Sequence, residues 1–199
     1  MTLKCFFING NIGSGKTTTI MNLCESFKNR GYKALAAYEP VEKWRESGML
    51  EKLYKGHVKE FQWYCLKTKI EHINNMFDLA KKEEYDFLFI ESSPAIDLNV
   101  YSRALLNFED MCDFSLYWKI EMLNFKINIK TTPNILLNID PNICLQRINK
   151  RGRKEEKEIS LSYIKKLHYL HLLNNENTPA IITNCDDFNL SMLDLIIKN

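Results

Sequence analysis

The sequence predicts an α/β fold: a three-layer sandwich around a parallel sheet of about five strands. Three observations carry this expectation. Short apolar runs recur along the chain, longer helical patterns separate them, and a Gly-rich loop joins the first run to the first helix. The runs are residues 3–8, 34–38, 87–90, 135–139 and 180–183. Their near-continuous apolar character suits parallel strands covered on both faces. Strand alternating with helix then places helices around one sheet, with ligands bound at the carboxyl ends of the strands.

The elements follow in order. The first run enters a strand almost from the N-terminus. Residues 16–28 carry Ile20, Leu23, Cys24 and Phe27 at helical spacing, and Gly31 suits a C-cap. Phe61-Gln62-Trp63-Tyr64-Cys65 opens a helix that sets Gln62, Cys65 and Lys69 on one face. Ser93-Pro94 and Asp140-Pro141 each read as an N-cap followed by Pro in the first turn. No internal repeat, low-complexity tract or Pro/Gly-rich linker interrupts the chain, so a single domain over 1–199 is expected.

Bulk composition narrows the function classes. The chain has 199 residues, 45% apolar and 26% charged, which excludes disordered and fibrous classes. Net charge is only +2, from 27 basic and 25 acidic side chains, so a surface built mainly for nucleic acid or anionic membrane is not expected. No run approaches the roughly 18 apolar residues of a membrane span. The N-terminus lacks a small-residue cleavage site. Six scattered Cys without a CxxC pair read as buried thiols in a reducing compartment. A cytoplasmic location is expected. Two scarce residues cluster. Three of seven Gly fall between positions 10 and 15, and three of six Arg fall between 147 and 153.

The first cluster carries chemistry. Gly10, Asn11, Ile12, Gly13, Ser14, Gly15, Lys16 and Thr17 satisfy G-x4-G-K-[ST] between a predicted strand and a predicted helix, with Thr18 adjoining. Glycines let backbone N–H groups close around phosphate oxygens, and the helix N-terminus adds its positive end. Lys16 reaches the β/γ-phosphates and the Thr17 hydroxyl ligates Mg²⁺. The loop predicts binding of a nucleoside triphosphate with Mg²⁺, without saying which reaction follows.

A wider pattern accompanies the loop. Tyr38-Glu39-Pro40 with Trp44-Arg45, then Tyr54, Phe61-Gln62, Glu91, the stretch from Arg147 to Glu156 and Asp186-Asp187-Phe188 recur in the order seen in deoxyribonucleoside kinases. The chain resembles that family over most of its length. The resemblance implies a P-loop kinase sandwich with a helical lid that transfers the ATP γ-phosphate to the 5′-hydroxyl of a deoxynucleoside. It also implies a homodimer.

Residue by residue, chemistry and resemblance run together. Glu39, at the end of the second strand, is a candidate general base for the 5′-hydroxyl, because a carboxylate there can take its proton. The Gln62 amide offers a donor and an acceptor to a base edge, with Cys65 beside it on the helix face. Trp44, Phe61 and Tyr101 are candidates to sandwich the base. Tyr54 and Glu156 match the family's contacts to the sugar 3′-hydroxyl. Glu91 is the second candidate Mg²⁺ ligand, and Asp187 and Phe188 fall in the ATP-binding tail. Arg147, Arg151 and Arg153 lie in the lid, about 147–158, where planar guanidiniums suit charge on transferring phosphoryl oxygens. Lys69 and Asp97 stand where relatives that take cytosine or purine carry an Arg–Asp pair, which leans the base preference that way. Read alone, Lys69 and Asp97 are equally ordinary surface charges, and Arg153–Glu158 reads as a solvated charge run.

One position departs from the pattern. The family has Glu-Arg-Ser where this chain has Glu91-Ser92-Ser93. Two alternatives stay open: a thymidylate-type nucleotide kinase, which shares the loop and lid although Ser92 in place of Arg speaks against it, and a weakly active nucleotide-binding regulator, which the absent guanidinium allows. The expectation is that a basic side chain from elsewhere, Arg103 or Arg45, fills the place beside Ser92.

Overall fold

In the computed structural model, residues 3–175 and 180–183 are described. Strands β1 (Lys4–Gly10), β2 (Ala34–Ala37), β3 (Phe87–Glu91), β4 (Asn134–Leu137) and β5 (Ala180–Thr183) form one sheet in the order β2-β3-β1-β4-β5, every pair parallel. The α/β sandwich with five parallel strands is the architecture expected from the sequence.

Alternation along each strand builds the two outer layers. Phe6, Ile8, Phe87, Phe89, Ile135 and Leu137 point to one face. There they meet Ile20, Leu23 and Phe27 of α1 (Lys16–Asn29), Cys144 and Ile148 of α8 (Pro141–Arg151), and Ile164 of α9 (Leu161–Asn175). Phe7, Leu88 and Ile90 point the other way, against Ile73 of α4 (Val58–Lys82). Both faces are therefore dry, which is why the strands read as unbroken apolar runs. The Phe27 and Phe87 rings tilt at 59° with centroids 4.4 Å apart, an aromatic pairing that adds about 1 kcal/mol to the burial of area.

The remaining helices are α2 (Val41–Glu46), α3 (Met49–Tyr54), α4 (Val58–Lys82), α5 (Pro94–Ile96), α6 (Arg103–Leu105), α7 (Phe108–Met122), α8 (Pro141–Arg151) and α9 (Leu161–Asn175). Both expected caps form. The Ser93 hydroxyl accepts the Ala95 N–H at 3.1 Å, and the Asp140 carboxylate accepts the Asn142 N–H at 2.8 Å. Gly31 follows the α1 cap residue Arg30 in the left-handed region, at φ 84°.

Three boundaries differ from the sequence expectation. The helix assigned to Phe61 onward starts earlier, at Val58, and runs 25 residues. Strand β4 stops at Leu137, because Ile139 N–H turns back to the Leu137 carbonyl at 3.1 Å. It starts at Asn134, whose side chain accepts a buried hydrogen bond from Asn9 Nδ2 at 2.9 Å. Between α5 and α6 the chain makes a π-helical turn, Asp97–Ser102, a widened coil that often marks functional positions.

Register decides what meets at the carboxyl rim. Ile8 lies beside Glu91 and Ala37 beside Ile90. Glu39, two residues past Ala37, therefore comes level with Ser92.

Candidate active site

At the carboxyl ends of β1, β2 and β3 the phosphate loop meets a cavity of about 590 Å³, a size suited to a small organic ligand. Its floor holds Ile12, Gly13, Lys16 and Thr17 of the loop, with Glu39 and Glu91. Trp44, Phe61, Gln62 and Cys65 line it, with Asp97 and Tyr101 of the adjoining turn, and Arg151, Arg153 and Glu156 complete the lining.

The loop is built by sequence. Gly13 sits at φ 77°, and a Cβ there would lie 2.5 Å from the Cys144 carbonyl oxygen, so only glycine fits. Gly10 and Gly15 also take positive φ. Gly15 caps α1 without a side-chain bond, and no acidic residue stands in the first turn. The helix N–H groups are thus left for an anion. Lys16 Nζ donates to the Gly10 and Asn11 carbonyls, each at 3.1 Å. Asn11 braces the loop by donating to the Ile164 carbonyl at 2.8 Å. Ser14 is buried, whereas Thr17 and Thr18 are exposed.

The Thr17 hydroxyl donates to both Glu91 oxygens, at 3.0 and 3.2 Å. Burial, then the Glu39 charge, raises the Glu91 carboxyl above its ordinary range, against Lys16 and Thr17. Hydroxyl and carboxylate are hard oxygen donors of the kind magnesium takes.

Around Glu39 the charges are tightly arranged. Burial works to raise its carboxyl, but the Lys69 ammonium, then Lys16 and hydrogen bonds from Lys69 and Ser92, outweigh it and hold the group down. Glu39 is therefore ionised at neutral pH, as a proton acceptor must be. Lys69 and Asp97 are not surface charges. They are 1% and 2% exposed and paired at 2.8 Å. Burial raises Asp97 to about 6 despite Lys69. Its second oxygen, Oδ2, has no hydrogen-bond partner among the described residues.

The aromatic wall is held rigidly. Trp44 Nε1 donates to Thr68 Oγ1 at 2.8 Å, and its ring meets Phe61 edge-on, with centroids 5.9 Å apart. Gln62, 2% exposed, accepts from Ser102 Oγ at 3.1 Å through Oε1, leaving one lone pair and the amide N–H groups for other partners. Thr68 and Ser102 were not singled out from sequence. Thr68 flanks the Cys65–Lys69 face, a signal available in the spacing, whereas the turn carrying Ser102 had none.

The three lid arginines separate. Arg147 donates to the Ser14 carbonyl at 3.2 Å and so braces the phosphate loop from behind. Arg151 grips Glu156 with Nη2 at 2.7 Å from Oε1 and Nε at 3.1 Å from Oε2, and Arg153 adds a contact at 3.3 Å. Glu156 is only 7% exposed. The Tyr54 side chain, Asp187 and Phe188 lie outside the described residues.

Neither arginine expected beside Ser92 is there. Arg45 is held by Glu155 at 2.7 Å and by Glu42, and Arg103 is exposed on α6. The cation at that place is Lys69, with Nζ 3.3 Å from Ser92 Oγ. The reason is topological: α4 crosses the rim at its Lys69 turn, while Arg45 leans towards the lid. Ser92 itself has φ 64°, an unusual conformation for a residue with a side chain.

A parallel sheet whose first strand runs into a glycine loop, a lysine and a bare helix N-terminus defines a P-loop nucleotide-binding protein. A family model described as "Deoxynucleoside kinase" matches residues 6–195, and the chain belongs to that family. Deoxycytidine kinase of Homo sapiens is 29% identical over 199 residues, covering 85% of this chain and 74% of its own length. Mitochondrial thymidine kinase 2 of Homo sapiens is 26% identical over 211 residues, covering 96% and 74%. Mitochondrial deoxyguanosine kinase of Xenopus laevis is 23% identical over 224 residues, covering 94% and 83%. No described helix is long and apolar enough to cross a membrane.

Proposed function

We propose that this deoxynucleoside kinase transfers the γ-phosphate of ATP to the 5′-hydroxyl of a deoxynucleoside, with a preference for bases that carry an exocyclic amino group. The observation that carries the preference is the orphaned Oδ2 of buried Asp97 in the cavity wall. A buried carboxylate oxygen without a partner favours a ligand that supplies a donor. Cytosine presents N4–H₂ and adenine N6–H₂ where thymine presents the acceptor O4. Gln62 adds a second hydrogen-bonding group on the same ligand, between Trp44, Phe61 and Tyr101. Deoxycytidine and purine deoxynucleosides are therefore the favoured acceptors.

The loop amides, Lys16 and the α1 N-terminus hold the triphosphate. Glu39 accepts the proton of the 5′-hydroxyl as its oxygen attacks the γ-phosphorus and the bond to the β-phosphate oxygen breaks. Magnesium, held by Thr17 and Glu91, supplies charge neutralisation at the phosphates when bound. Glu156, which lines the cavity, is read as the contact to the sugar, and Arg151 and Arg153 beside it as the lid cations for the transferring group. Exposed Phe108, Cys112, Leu116 and Ile120 recur at fourfold spacing along α7, with Leu123 just past its end, and support a homodimer across that face. A cytoplasmic place completes the reading.

The test is a panel of the four deoxynucleosides and thymidylate with ATP and magnesium. Turnover on deoxycytidine above thymidine supports the proposal. Turnover on thymidylate with none on any nucleoside overturns it.

A further inference from the structure

We infer that Lys69 is a positioning residue that ties recognition of the base to capture of the hydroxyl proton, an inference that rests on the kinase function proposed above. Its ammonium is 1% exposed and meets three acceptors: Asp97 Oδ1 at 2.8 Å, Glu39 Oε1 at 2.9 Å and Ser92 Oγ at 3.3 Å. An ammonium has three N–H donors, so this shell is complete. The acceptors come from three separate parts of the chain: the π-helical turn, the loop after β2 and the end of β3. Lys69, in the middle of α4, reaches all of them.

The two carboxylates have different tasks. On the proposed function Asp97 serves the base and Glu39 the hydroxyl. Lys16 also lies near Glu39, but its Nζ is held by the Gly10 and Asn11 carbonyls on the phosphate side. Lys69 is thus the cation shared between the two ends of the nucleoside site. Without it, Glu39, Asp97 and Glu91 confront one another as like charges in a buried setting. A lysine suits the place because three divergent acceptors match a tetrahedral ammonium, whereas a guanidinium spreads its donors in a plane.

A competing role is plain neutralisation of Asp97. The two are separated by the charge-balanced pair Lys69→Met with Asp97→Asn, compared with Asp97→Asn alone. Thermal melting, KM for ATP and kcat on each deoxynucleoside are measured for both. The expected result is a folded double variant with unchanged ATP KM and kcat about 100-fold below Asp97→Asn. Equal kcat in the two variants overturns the inference, since Lys69 then serves only Asp97. Where the double variant does not fold, Lys69→Arg decides: it keeps the charge and loses the three-way geometry, so kcat falls about tenfold or more with ATP KM unchanged, and undiminished kcat overturns the inference. Wild-type protein idle on every deoxynucleoside overturns the kinase reading and this inference with it. An active wild type with an active double variant overturns this inference alone.

Discussion

Thr17 and Glu91 lie 74 residues apart in sequence, yet the Thr17 hydroxyl touches both oxygens of the Glu91 carboxylate, at 3.0 and 3.2 Å. Strand pairing of Ile8 with Glu91 places the carboxylate beside the start of α1. Glu91→Gln keeps the shape and removes the charge. Half-saturation by magnesium is expected to rise about tenfold or more, read from rate against magnesium at saturating ATP. An unchanged magnesium dependence removes Glu91 from the metal site.

Glu39→Gln is expected to lower kcat by about 100-fold or more, while the Kd for ATP, measured by calorimetry, stays near the wild-type value. A group that acts on the hydroxyl proton has no call on the bound triphosphate. Loss of ATP affinity in step with kcat speaks for a structural part instead.

Ser92→Arg places a second cation at a buried position already served by Lys69 and adds a large side chain at φ 64°. Turnover is expected to fall and the melting temperature to drop. The Lys69→Met background should recover part of both, because the like-charge conflict is gone. A rise in turnover for Ser92→Arg alone shows that the place beside Glu39 lacks an adequate cation.

His171 gives a pH signature. It is 3% exposed, neither ring nitrogen has a hydrogen-bond partner among the described residues, and its ring stands edge-on to Tyr101 at 6.2 Å. Burial first, then the charges of Lys16 and His168, lowers its pKa from 6.5 to about 3. The unfolded chain therefore binds a proton that the folded chain refuses. The stability that neutral His171 contributes is fully present above pH 6.5 and is lost as pH falls towards 3, at about 1.4 kcal/mol per unit. His171→Phe should flatten this part of the curve of unfolding free energy against pH. A slope identical to wild type refutes the assignment.

Asp97→Asn should cut kcat/KM for deoxycytidine by about tenfold or more while reducing thymidine turnover less, so the ratio of the two narrows. Equal losses on both nucleosides mean that Asp97 does not read the base.

Much of this was legible in the chain. The five apolar runs, the glycine loop and both Ser/Asp-Pro caps follow from local chemistry, which sequence records directly. Lys69 was harder. Helical spacing placed it on one face with Gln62 and Cys65, but nothing along the chain says that α4 crosses the end of β3 at that turn. The cation beside Ser92 was therefore expected from Arg45 or Arg103. The π-helical turn was hidden for the same reason: its extra residue answers to the packing of Asp97 and Ser102 against α4, not to any local propensity.

The contact between Gly13 and the Cys144 carbonyl has a mechanical consequence. It makes α8 a fixed post standing on the phosphate loop, and Arg147 bolts the two together from the far side. Helix and loop must travel as one piece.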